Sequence, residues 1–193
     1  MTVLGFALFD SPIGACGVAW SQRGIVAVQL PEAREATTRA RMQRLFPSAR
    51  ETAPPAAVER AVERMAALLA GDLVAGDLTG VTLDYEGVPA FHRRIYETVR
   101  GIRPGDSMTY GEVAMLAGAP GAARAVGQAM SRNPYAVIVP CHRVVAAGGR
   151  VGGFSARGGV GTKLRMLAAE GVRVDERGRM HRNGATSAGA RGR

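Results

Sequence analysis

Residues 138–145 read Ile-Val-Pro-Cys-His-Arg-Val-Val. The run has the apolar, β-branched composition of a buried strand, yet Cys141, His142 and Arg143 interrupt its centre. Two readings compete for the cysteine. Unpaired cysteine often serves as a small buried hydrophobe. A thiol beside an imidazole is also the pairing that nucleophilic chemistry needs, because the base draws off the proton. Neighbouring residues on an extended strand point to opposite faces, so a cooperating pair demands a backbone other than regular strand at 141–142.

Working outward, the chain has 193 residues, 47% hydrophobic and 21% charged, with a net charge of +9. These are the proportions of a globular chain of one domain or two small ones. The basic surplus favours polyanion partners, nucleic acid first. No apolar run approaches the roughly 20 residues that span a bilayer, and the N-terminus lacks the basic and apolar regions of a signal peptide. The reading therefore expects no membrane contact and a cytoplasmic location. Cys16 and Cys141 stand far apart, outside any C-x-x-C pair, and His92, His142 and His181 are scattered. A structural zinc site needs four clustered ligands, so no metal is expected. Cys16 falls inside an apolar run and reads as structural.

Three apolar runs, 3–9, 15–20 and 25–30, are separated by turn residues and predict a meander. Helical patterns follow at 32–46 and 55–70, the latter with Val58, Val62, Met65 and Leu69 on one face. A short strand over 81–85 returns to the sheet, and a boundary falls near Gly87. The second half reads as mainly helical. Phe91, Ile95 and Val99 share a helix face, and Thr109-Tyr110-Gly111-Glu112 is the pattern of a capping box. A turn at 118–120 leads to a second helix over 121–131, the outline of a helix-turn-helix. At 3.6 residues per turn, Ala123, Val126, Gly127 and Met130 face inward. Gly121, Arg124, Ala125, Gln128 and Arg132 form an outer face with little bulk, one that fits even a narrow groove of nucleic acid. A helix over 162–169 leads to Glu170, whose charge opposes the helix dipole there. The expected fold class is an α/β N-terminal domain over 1–87, a small antiparallel sheet with flanking helices, then a mainly α domain over 88–171. Residues 172–193, rich in Gly and Arg, read as a disordered basic tail.

The segment Ala122-Ala123-Arg124-Ala125-Val126-Gly127, Asn133-Pro134, and Ile138-Val139-Pro140-Cys141-His142-Arg143-Val144 together resemble the O(6)-alkylguanine-DNA alkyltransferases, also called methylated-DNA–protein-cysteine methyltransferases. The resemblance is dense over 91–170. The N-terminal half matches in outline, through Asp10-Ser11-Pro12-Ile13-Gly14 and its meander, and is implied to be ribonuclease-H-like. The resemblance implies DNA repair by stoichiometric transfer of the alkyl group from O(6)-alkylguanine, or O(4)-alkylthymine, to the protein's own cysteine. It assigns Cys141 as nucleophile, His142 as base acting through a water, and Glu170 as the group orienting His142. Arg124 is implied to fill the space of an extruded base and Tyr110 to rotate the phosphate, with Ala125 and Gln128 on the DNA-facing side. Asn133, Met130, Val144, Phe154 and Ser155 are implied to form the substrate pocket and its support. Partners follow from the same source: a monomer on double-stranded DNA holding alkylated guanine, entered by the minor groove, with no cofactor. Two departures stand out. Phe154 occupies the place where many members carry a tyrosine that donates to the departing oxygen, and the loop after the cysteine is about two residues longer than the commoner pattern.

The residues themselves leave two alternatives open. A cysteine hydrolase or acyltransferase uses the same two side chains, although such enzymes normally assemble them from distant segments. A sensor that binds alkylated DNA without efficient transfer shares the helix-turn-helix outline, although related sensors lack the cysteine that Cys141 supplies here.

Overall fold

A computed structural model describes residues 3–182. The three N-terminal runs form an antiparallel meander of β1 (Gly5–Phe9), β2 (Cys16–Ser21) and β3 (Gly24–Gln29). A short β4 (Arg50–Glu51) adds to the free edge of β1 in parallel, giving the order β3-β2-β1-β4. The sheet is therefore mixed, where the sequence predicted an antiparallel one. Chain path explains it: the helix α1 (Glu35–Leu45) lies between β3 and β4 and serves as the crossover that a parallel pairing requires.

Both faces of this sheet are covered. Alternation along β2 sends Cys16, Val18 and Trp20 into the main core, while Ala19 packs with Phe6 and with Met42 of α1. Gly17 makes the second contact possible, since a Cβ there would lie 2.7 Å from the Met42 sulfur. A bulge opposite Ala19–Trp20 places both Val26 and Ala27 on the α1 side, while Ile25 and Val28 stay in the main core. The helix α2 (Ala56–Leu69) closes the other face with Val58, Ala61, Met65, Leu68 and Leu69.

The outer edge of β3 receives the segment around 82–84 and then the second half. Ile25 N donates to Thr82 O at 3.0 Å and Asp84 N donates to Ile25 O at 2.8 Å, so the strand expected over 81–85 reduces to a bridge. Further along, Val28 N donates to Pro134 O at 2.7 Å. One apolar cluster then runs from Phe9 and Trp20 through Tyr96 and Val126 to Met166.

In the second half, α3 (Ala90–Arg100) buries Ile95, Tyr96 and Val99. After β5 (Met108–Thr109) come α4 (Tyr110–Leu116) and α5 (Ala123–Ser131), joined through Gly118 and Gly121 at φ of 69° and 83°. Thr109 Oγ1 accepts from Glu112 N at 3.2 Å, and Thr109 N donates to the Glu112 carboxylate at 2.6 Å, so the capping box forms as predicted. On α5, Val126, Ala129 and Met130 are buried, while Arg124 and Gln128 are exposed. Residues 141–143 form a single 3-10 turn, not strand, and only Val144–Val145 pair as β6, in parallel with β5. The last helix, α6 (Gly159–Ala169), ends at Glu170.

The predicted disordered tail is corrected over its first part. β7 (Val172–Val174) and β8 (Met180–Arg182) form an antiparallel hairpin, and Val172, Val174 and Met180 pack on Val151 and Leu167. The Arg and Gly content outweighed a short alternation, Val172 and Val174, followed by an Asp175–Gly178 turn in which Gly178 N donates to Asp175 O. Residues 183–193 of that expected tail lie outside the described residues. Among the described residues, no helix is long and apolar enough to cross a membrane.

The capping box sets where α4 begins. Thr109→Ala should lower the urea midpoint at unchanged m-value, a loss of about 1 kcal/mol; an unchanged midpoint would show that the cap does not hold the helix.

Candidate active site

The frame around Cys141 is built by the backbone before it. Val139 N donates to Tyr135 O at 2.8 Å, and Arg143 N donates to Pro140 O at 2.9 Å, closing the 3-10 turn. Inside this loop Val137 adopts a φ of 72°, a conformation a β-branched residue rarely takes. Asn133 braces it from within. Its Nδ2 donates to Val139 O at 2.9 Å, and its Oδ1 accepts from Tyr135 N at 2.9 Å.

Cys141 sits, partly buried, at a cavity of about 270 Å³ that Tyr110, Gly127, Met130, Ser131, Phe154 and Ser155 also line. The walls come from α4, α5 and the loop before α6. Behind the sulfur lies a buried ionic group, with His142 1%, Arg143 5% and Glu170 5% exposed. Glu170 Oε1 is 2.8 Å from His142 Nε2 and 2.7 Å from an Arg143 terminal nitrogen. Arg143 Nε reaches both carboxylate oxygens at 3.0 and 3.1 Å, and its other terminal nitrogen donates to Ile102 O at 2.6 Å. Gly105 N adds a longer bond to Glu170 Oε2 at 3.3 Å.

Burial works against the Glu170 charge, but His142 and Arg143 outweigh it and hold the carboxyl at about 2. Burial also pulls His142 below its ordinary value, opposed in part by Glu170, so the ring is neutral. With an ionised acceptor at Nε2, that nitrogen carries the proton and Nδ1 keeps its lone pair. Nδ1 is buried and has no hydrogen-bond partner among the described residues. Burial pushes the Cys141 thiol up, while Asn133, the Lys163 charge and the amides of 141 and 142 act the other way. The arrangement thus pairs a partly shielded thiol with a neutral, oriented base.

Of the residues singled out in the sequence, Cys141, Tyr110, Met130, Phe154 and Ser155 meet at the cavity, and His142 and Glu170 meet behind it. Ser155 Oγ donates weakly to Ser131 O at 3.4 Å. Asn133 braces the loop and does not line the cavity. Val144 does not line the cavity either: it is fully buried in β6, and its carbonyl accepts from Lys163. Arg124, Ala125 and Gln128 lie on the outer side of α5, away from the cavity lining. Sequence reasoning missed Ser131 and Gly153 in the walls, the Arg143 fork on Glu170, and Lys163. For Arg143 a signal existed, since a guanidinium in an apolar run needs a buried carboxylate. Cys16 is fully buried and its thiol is pushed up to about 11 by burial, in keeping with a structural role.

Residues 90–172 match the family model described as 6-O-methylguanine DNA methyltransferase, DNA binding domain. The chain is 38% identical over 173 residues to a methylated-DNA–protein-cysteine methyltransferase of Mycobacterium bovis, covering 89% of this chain and 95% of that one. The chain belongs to that methyltransferase family. The namesake of Methanothermobacter thermautotrophicus is 34% identical, with 85% of this chain and 84% of that protein covered. The crystal structure of Mycobacterium tuberculosis OGT in complex with DNA superposes with a TM-score of 0.69 at 35% identity, covering 86% of this chain and 92% of that one. The stretch matched by the family model runs from the first residue of α3 to the first of β7, so it holds every candidate residue of the cavity and of the buried ionic group.

The buried group makes an acid-stability signature. Unfolded, His142 binds a proton below about 6.5 and Glu170 below about 4.5, while folded both bind one only at lower pH. Their stabilisation is therefore present above those values and lost as pH falls. Glu170→Gln should cost about 3 kcal/mol at neutral pH, because Arg143 stays buried without a counter-charge. Urea unfolding across pH should show the gap between the two proteins closing as pH falls from about 4.5 towards 2. A gap that does not change with pH would refute the ion pair.

Proposed function

We propose that this chain repairs DNA by moving the alkyl group of O(6)-alkylguanine onto Cys141, once per protein molecule. The family relationship supplies the reaction. The observation that carries the assignment is a thiol at a cavity whose adjacent imidazole is neutral, fixed by a buried carboxylate, and has no partner on its other nitrogen among the described residues.

The thiol gives its proton to His142 Nδ1 through a bridging water, and Glu170 stabilises the imidazolium formed. The thiolate attacks the alkyl carbon in line. A carbon–sulfur bond forms as the carbon–oxygen bond breaks, the bonding pair stays on the base, and the base takes back a proton to leave guanine. A thioether on Cys141 has no acidic proton and is a poor leaving group, so the protein is spent. O(4)-alkylthymine presents the same chemistry.

The target carbon lies in a stacked base, so the nucleotide must leave the duplex at a cost of a few kcal/mol. In our reading α4 and α5 act as a helix-turn-helix whose second helix enters the minor groove of double-stranded DNA. Ala125 lets it approach closely, Gln128 contacts the groove, Arg124 occupies the vacated stack, and Tyr110 turns the phosphate. Asn133, Met130, Val144, Phe154 and Ser155 shape or support the base pocket. We read the chain as a cytoplasmic monomer with a ribonuclease-H-like part over 1–87 and the transfer domain over 88–171.

Incubation with a duplex holding one methylated guanine should plateau at one repaired lesion per chain, with the added mass on the Cys141 peptide. Cys141→Ser should bind the duplex and transfer nothing, because a hydroxyl is too weakly acidic. Repeated turnover, or label on Cys16, would sink the mechanism. Arg124→Ala should slow repair of duplex far more than reaction with free O(6)-benzylguanine, which needs no extrusion. Equal losses on both substrates would place Arg124 in some other role.

A further inference from the structure

A second cavity, of about 350 Å³, shares no wall residue with the one of about 270 Å³ at Cys141. Its size falls in the range of roughly 300–1,000 Å³ in which proteins hold small organic ligands. Two outer walls come from the turn-rich segment 73–79 after α2 and from the segment 100–104 that closes α3. The inner wall is Val137, Ile138 and Arg143, all buried. Val137 holds its φ of 72° in that wall, and backbone kept in a sparsely populated region recurs at ligand clamps.

The chemistry of the walls is mixed in a particular way. Leu68, Leu73, Leu78, Ile102 and Ile138 supply apolar surface, with Leu73 exposed at the rim. The charged groups are Arg100, Arg103 and Arg143 against Asp77. Arg143 is matched by Glu170. The Asp77 carboxylate is taken up locally, accepting from the Thr79 amide and hydroxyl at 3.0 Å each. A terminal nitrogen of Arg100 donates to the carbonyls of Leu78, Thr79 and Val81 at 3.2, 3.1 and 2.8 Å. These carbonyls fix the guanidinium in place without cancelling its charge. The walls keep a positive surplus, with Arg100 and Arg103 set against Asp77 alone.

We propose that this cavity is a second ligand site, one that takes a small amphipathic carboxylate, its apolar body against Leu68, Leu78 and Ile138 and its charge facing Arg100 and Arg103. A planar guanidinium matches a carboxylate through parallel hydrogen bonds, and Arg100 is held ready before any ligand arrives, which lowers the cost of binding. The apolar walls disfavour a bare, fully hydrated anion. An occupant would touch Val137 and Ile138 ahead of Cys141 and Arg143 behind it, without entering the cavity of the thiol. The inference does not rest on the alkyl-transfer reading.

The probe is 4-phenylbutyrate, titrated into the full-length 15N-labelled protein and followed by backbone amide shifts. Saturable binding at a Kd on the order of 1 mM is expected, as for a ligand of about twelve heavy atoms at ordinary efficiency. The shifts should concentrate at 73–79, 101–103 and 137–138. 4-Phenylbutyramide, which lacks the charge, and acetate, which lacks the apolar body, should each bind at least tenfold more weakly. Arg103→Glu and Leu73→Asp put a carboxylate at exposed wall positions, and each should weaken 4-phenylbutyrate at least tenfold. Shifts confined to the Cys141 cavity, scattered shifts without saturation, or a control ligand that binds as well as the probe overturns the proposal. So does wild-type affinity in either folded variant. If neither variant folds, the three ligands on the wild-type protein decide. Failure of methyl transfer from methylated duplex, with these shifts present, would count against the function reading alone.

Discussion

A single carboxylate shared by a neutral imidazole and a guanidinium holds the centre of this molecule together. Three polar groups within a dense apolar cluster would otherwise be prohibitive, since an unpaired buried charge costs several kcal/mol. Arg143 spends its fork on Glu170 and its remaining reach on Ile102 O, so each of its three nitrogens has a partner within the core. Glu170 closes α6 at the helix end where the dipole disfavours an anion. Arg143 offsets that penalty. The carboxylate is then left with one lone-pair direction for His142, and the imidazole is fixed in both tautomer and plane.

From this clamp the rest of the arrangement follows. A turn at 141–143, unlike a strand, lets Cys141 face the cavity while His142 and Arg143 face the buried carboxylate. That turn must be held against relaxation into extended chain, and three devices hold it. Asn133 bridges the loop before it, Val137 accepts a left-handed backbone within it, and Lys163 grips the carbonyl just after it. Asn133 and Lys163 do so by satisfying backbone groups on either side of the turn. The N-terminal sheet contributes at one remove, because Val28 of β3 anchors Pro134 at the start of the same loop.

Much of this was legible in the sequence, and the divide between what was and what was not is physical. The meander, the capping box and the two faces of α5 are local: turn residues, a four-residue cap and a 3.6-residue period signal each of them. The cysteine and histidine were legible because reactive groups in an apolar run contradict the run. Glu170 was reached through family resemblance, with its place at a helix end as a weaker hint. The parallel β4, the bridge replacing strand 81–85 and the Arg143 fork are contacts between distant segments, and no local pattern encodes them. Lys163 escaped notice for a different reason. In a helix reading Gly-Val-Gly-Thr-Lys-Leu-Arg-Met, a lysine two residues before an arginine looks like solvated surface, and only the fold reveals that Lys163 is buried while Arg165 is exposed.

The cavity wall raises one more point of chemistry. A departing guanine oxygen gathers negative charge, and donors aimed at it lower the barrier. Phe154 lines the cavity and has no donor to offer, where relatives with tyrosine would have one. The hydroxyls that do line it are those of Tyr110, Ser131 and Ser155. Ser155 is partly engaged, at 3.4 Å from Ser131 O. Burial and the neighbouring Cys141 both push Tyr110 upward, so its hydroxyl keeps its proton at neutral pH. The one phenol among these hydroxyls sits at the first turn of α4, on the wall of the cavity that also holds Cys141.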